Sequence, residues 1–202
     1  MPKLVGVRER RHQPFYDTLF RCNADGPAPS VGRTTRLFAS GTRLSDTSWT
    51  NMNMAGALPS DNTFIILSIR CWMFFKGTTQ VPEPFTAADA YVQMVHQLYL
   101  NLFVGDKPQF LAPSWYFPAG GGIDGDNSST PIANNGVPSQ ESILKLAKPI
   151  PVPARQHFYV EATFFDTGSV SVLDNIININ GDGMPLRECK VMLDGIHTRD
   201  VQ

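Results

Sequence analysis

From its middle to its last residue the chain is a relay of apolar, strand-length runs separated by turn residues, and this pattern excludes most folds. The runs are Asn62 to Phe75, Gln97 to Val104, Gln109 to Phe117, Ile143 to Val152, Gln156 to Phe165, Ser169 to Ile179, Cys189 to Leu193 and Ile196 to Val201. Runs of this length, rich in β-branched and aromatic residues and bounded by Gly, Pro, Asn and Asp, read as strands. One stretch breaks the pattern. After Thr86-Ala87-Ala88-Asp89, a variant of the capping box, Ala88, Tyr91, Val92 and Val95 recur at helical spacing, which predicts a short helix over Ala87 to His96. Eight to ten strands with one helix predict an all-β fold, a single jelly-roll-like β-sandwich of two packed sheets. An immunoglobulin-like sandwich is disfavoured, because the Cys…Trp…Cys spacing is missing.

Individual turns are also legible. Gly105-Asp106 between two apolar runs is a hairpin signal, and Asp194-Gly195 reads as a tight turn between the last two runs. Pro149, Pro151 and Pro153 remove three backbone donors at alternate positions, which confines that segment to a sheet edge or a polyproline stretch. The nearly continuous apolar run around Trp72 predicts a strand covered on both faces, with Trp72 in the core.

Residues 1–60 differ from the rest. They hold few sustained runs and many Gly, Ser, Thr, Asn and Pro, and read as an extended basic N-terminal arm with loops, laid over a body at 61–202. Charge separates the same way. Residues 1–43 hold eight basic and three acidic side chains, a net of +5, which leaves −6 for the remainder of a chain whose total is −1. Lys3, Arg8, Arg10 and Arg11 are therefore candidate interaction residues for a phosphate backbone, an anionic membrane surface or an acidic neighbour.

Charged residues make up only 17% of the chain, below the ~25% usual for soluble domains, which points to extensive subunit contacts. Cys22, Cys71 and Cys189 are widely spaced and form no CxxC pair, so buried reduced thiols are expected. The N-terminus has no signal-peptide pattern, and no run reaches the ~20 apolar residues of a membrane helix.

Motifs of chemistry are few. The loop Pro118 to Gln140 carries Gly120-Gly121-Gly122 and an oxygen-rich stretch whose Asp124 and Asp126 resemble a cation loop. The sixth and twelfth places from Asp124 hold Ser129 and Asn135, not the Gly and Glu of an EF-hand, so the two aspartates are candidate contact residues only. His12, His96, His157 and His197 form no ligand pair and are expected at the surface or partly packed. No nucleophile elbow, phosphate loop or dinucleotide fingerprint is present. An enzyme is not expected, nor a cofactor, a metal or a small-molecule substrate. Trp115, at a strand end before Tyr116-Phe117-Pro118, is a candidate interface residue.

The chain resembles viral capsid jelly-roll subunits of icosahedral bacterial viruses. The likeness rests on the basic arm and on three segments: Leu98 to Gly122, Ile143 to Phe165 with its Pro-x-Pro-x-Pro entry, and the ending Val191-Met192-Leu193-Asp194-Gly195-Ile196-His197-Thr198-Arg199-Asp200-Val201-Gln202. The resemblance implies a structural virion protein that self-assembles through barrel edges, loops and arm. Its partners would be copies of itself and other virion proteins, with the arm reaching genome or internal membrane. A decoration or cement protein, or a carbohydrate-binding β-sandwich module, fits the same pattern.

Overall fold

A computed structural model of the chain describes residues 8–21, 34–39, 49–75, 95–121, 124–125, 133–134, 139–165 and 186–200. Its strands are β1 (Arg8–His12), β2 (Phe15–Arg21), β3 (Thr34–Leu37), β4 (Thr63–Phe75), β5 (Leu98–Val104), β6 (Lys107–Pro113), β7 (Asp124–Gly125), β8 (Ala133–Asn134), β9 (Lys145–Val152), β10 (Phe158–Phe164) and β11 (Leu186–Asp200). Sheet A runs β1-β11-β4-β9, with β2 continuing the line of β1 along β11, and sheet B runs β3-β10-β5-β6. All of these pairings are antiparallel.

The chain is an all-β sandwich, as the relay of runs predicts. The pairing is nested. With β1 and β2 taken as one interrupted strand, β11 lies beside it, β10 beside β3, β9 beside β4 and β6 beside β5. That is a long hairpin ribbon folded over two sheets.

Alternation explains the core. On β5, Leu98, Leu100 and Leu102 are fully buried while Tyr99, Asn101 and Phe103 point the other way. On β10, Phe158, Val160, Ala162 and Phe164 are buried, and Tyr159, Glu161 and Thr163 face outward. The inward set meets Phe64, Ile66, Ile69, Val191 and Leu193 of sheet A in one hydrophobic cluster. Fully burying a side chain of this size contributes about 1.5–3 kcal/mol, so the interleaved leucine and phenylalanine rows hold the two sheets face to face.

Several expectations stand as read. Gly105-Asp106 forms the two-residue turn joining Val104 to Lys107, with Gly105 at φ +62. β9 is the outer strand of sheet A, and Pro149 and Pro151, two residues apart, direct both missing donors to one side, away from β4. Cys71 and Cys189 are buried free thiols 3.7 Å apart, and burial together with the neighbouring thiol pushes the Cys189 pKa well up. Among the described residues no helix is long and apolar enough to cross a membrane.

Within the segment 1–60, residues 8–12, 15–21 and 34–37 are strands of both sheets. β1 carries no apolar residue, so it escapes a search for apolar runs; it is held instead by cross-strand partners on β11. Asp194-Gly195 is not a turn: β11 passes straight through it from Leu186 to Asp200. Glycine is required there by packing, because a Cβ at Gly195 would fall on the Ile65 carbonyl where the β4–β11 register shifts. Trp72 alternates with the buried Cys71 and Met73, so its half-buried ring lies on the outer face of sheet A rather than in the core. Of the predicted helix only the end falls among the described residues, where Val95–Gln97 are helical. The run Ser169 to Ile179 lies outside them.

A buried carboxylate ties the sheets at one corner. Asp17 of β2 accepts from the Thr18 amide at 2.8 Å and from the Phe38 amide at 2.6 Å, just beyond β3. Phe38 is fully buried at φ +66, a conformation that non-glycine residues seldom adopt. The loop 49–62 then closes this end: Thr50 Oγ1 donates to the Tyr16 carbonyl at 2.9 Å, and Gly56 bridges Phe38 to Phe158 through its N–H and carbonyl.

Candidate functional site

The sequence-nominated basic residues sit on β1, and β11 determines what each can do. Arg8 pairs with Asp200 at 3.2 Å, and Glu9 with Arg199 at 2.7 Å. The Arg199 contact holds the Glu9 carboxyl below the ordinary range. Arg10 is exposed and has no ion-pair partner among the described residues. Arg11 lies opposite His197 and turns inward, its Nε buried without a hydrogen-bond partner. The basic cluster is thus a strand largely neutralised by its neighbour, not a free charged tail. Lys3 and Asp126 lie outside the described residues. Asp124 opens the two-residue strand β7, which pairs with β8 inside the long loop.

On the other face of β1, His12 Nε2 contacts Asp194 Oδ1, and Arg70 Nη2 contacts Asp194 Oδ2. Ser68 Oγ lies 3.4 Å from the same carboxylate. In a nucleophile–histidine–carboxylate relay the histidine must stand between the other two. Here the carboxylate stands between serine and histidine, so the imidazole does not contact the Ser68 hydroxyl. The cluster fastens β1 and β4 to β11. Among the described residues no group of His, Cys, Asp and Glu could hold a metal ion.

Trp115 is 52% exposed on the 3-10 turn Ser114–Tyr116 that follows β6. Ser114 Oγ anchors the turn by donating to the Val95 carbonyl at 3.1 Å. The Trp115 ring packs edge-on to Tyr116, itself 48% exposed.

The largest outward display was not evident in the sequence. Sheet B turns Tyr99, Phe103, Leu111, Tyr159 and Phe165 away from the core, with Leu111 66% and Phe165 49% exposed. Phe103 and Tyr159 stack at 4.9 Å, and the Arg36 guanidinium covers the Tyr159 ring at 4.8 Å while pairing with Glu161 at 3.0 Å. Tyr99 and Phe165 meet edge to face at 4.9 Å. Amid them the Asn101 Oδ1 is buried with no partner. Period-two alternation carried the signal for this face, but the pairing that sets its rings side by side is not written in any one run.

The chain matches no protein-family model and no curated protein.

Proposed function

We propose that this chain is a structural assembly subunit: a virion shell protein whose sandwiches pack beside copies of themselves, with the outer face of sheet B as the contact surface. The observation that carries the reading is that face, a row of outward aromatic and aliphatic side chains on a rigid sheet. Contiguous apolar surface of this kind marks a protein-interaction site. The nested strand winding and the likeness to jelly-roll capsid subunits support a contact within a shell, and the low charge content suits a subunit with several neighbours.

Ring geometry favours a protein partner over a sugar. A carbohydrate platform needs open ring faces, whereas one face of Tyr159 lies on Phe103 and Arg36 lies over the same ring. A second copy, offering side chains between these rings, fits better. Size-exclusion chromatography with light scattering tests the reading. Concentration-dependent multimers are expected; a strict monomer at every concentration, with or without added sugars, contradicts it.

A further inference from the structure

Beneath the loop 49–62, at the end of the sandwich, lies a cavity of about 100 Å³. Its walls join the inner faces of β1 and β11 to the loop. Three of the residues that line it, Arg11, Gln13 and His197, carry buried polar atoms without hydrogen-bond partners: Arg11 Nε, Gln13 Oε1 and both ring nitrogens of His197. Buried polar atoms in folded proteins almost always have partners, so a cluster of orphans around one cavity marks a place where something binds. His197 is only 4% exposed and meets Phe15 edge-on at 5.6 Å.

Charge identifies the class of occupant. Arg11 and Arg199 both line the cavity, and no carboxylate does. Glu9 answers Arg199 from beside it, which leaves Arg11 with no ion-pair partner among the described residues. The remaining wall mixes apolar side chains, Phe15, Met52, Leu58 and Pro59 among them, with the amides Asn51, Asn53 and Asn62. We propose that this cavity is a binding site for a small carboxylate with a short apolar stem: the carboxylate takes Arg11 and His197, and Gln13 Oε1 accepts from a neighbouring N–H.

A planar carboxylate suits a single guanidinium edge. Phosphate, with more charge and three or more acceptors, would meet the unpaired Gln13 oxygen. His197 is consistent with this. Burial, then Arg11 and Arg199, lower its pKa against the opposing Glu9, so the empty site resists a further positive charge and an arriving anion relieves it. These three are the charged groups that face the imidazole.

The test is thermal unfolding of the full chain with acetate, N-acetylglycine or inorganic phosphate, each against sodium chloride at matched ionic strength. Carboxylates several-fold above their Kd are expected to raise Tm by about 2–4 °C, and phosphate to raise it less. N-acetylglycine exceeding acetate assigns the carboxylate to a peptide terminus; equality assigns it to a free small acid. Arg11→Met should abolish the shift. Arg10→Met, one residue away on the exposed face, should retain it, which separates loss of the site from general weakening of β1. Equal Tm in all four salts, meaning a cavity filled by water alone, overturns the inference, as does a phosphate shift larger than either carboxylate's.

Discussion

Leu111 projects from β6 opposite Asn101 with 66% of its surface exposed. It therefore contributes little to the fold of one subunit and much to any contact across sheet B. Fully burying a leucine is worth about 1.5–3 kcal/mol, so covering the exposed two thirds contributes about 1–2 kcal/mol per contact. Each 1.4 kcal/mol is a factor of ten in association, so Leu111→Ser should weaken one contact roughly 5- to 30-fold. Leu111→Glu should do more, since burying an unpaired carboxylate adds a further penalty. The assay has two parts. Light scattering across a dilution series locates the concentration at which multimers appear; thermal unfolding under dilute conditions reports the isolated subunit. The expected result is a higher assembly concentration with a Tm close to that of the parent, because exposed substitutions usually change stability by less than ~0.5 kcal/mol. Two results would refute the reasoning: unchanged assembly, which removes sheet B from the contact, or a large loss of Tm, which makes Leu111 part of the core.

Four further outcomes follow from the packing. Gly195→Ala should destabilise by about 3 kcal/mol or more, since the added Cβ meets the Ile65 carbonyl and backbone cannot step aside; chemical denaturation measures it. Asp17→Ala should cost about 3–5 kcal/mol in the same assay, because it orphans the Thr18 and Phe38 amides and frees a strained left-handed Phe38. Deleting residues 1–12 should lower Tm and promote aggregation by exposing the β11 edge, whereas a dispensable arm would leave Tm unchanged. Acidification should destabilise in two steps. The His197 pKa is depressed, so the unfolded chain takes the proton first and stability falls as pH drops below 6.5; Glu9, also depressed, adds a loss below 4.5. His197→Gln should flatten the upper step of a Tm-against-pH curve.

How much of this was legible depended on whether apolar alternation carried the information. β4, β5, β9 and β10 were readable because their runs are long and β-rich, and the edge position of β9 followed from prolines that no central strand tolerates. β1 was not, because Arg8-Glu9-Arg10-Arg11-His12 is stabilised by partners that lie far away in sequence on β11. Gly195 misled for a related reason. A glycine needed for close strand approach looks the same in sequence as one needed for a turn, and only the Ile65 carbonyl distinguishes them. Of the candidate site, Trp115 was nominated as an aromatic at a strand end, while the sheet B face was hidden because its outward rings on β5 and β10, Tyr99, Phe103 and Tyr159, are separated in sequence and only strand pairing brings them together. His197 was passed over as one of four scattered histidines; its meaning comes from the register that sets it opposite Arg11.

Electron cryomicroscopy of the concentrated, purified chain bears most directly on the central claim. Closed particles whose density buries Tyr159, Asn101 and Leu111 of each subunit against a neighbour are predicted. Dispersed single sandwiches, or particles in which those three side chains face solvent, would contradict it.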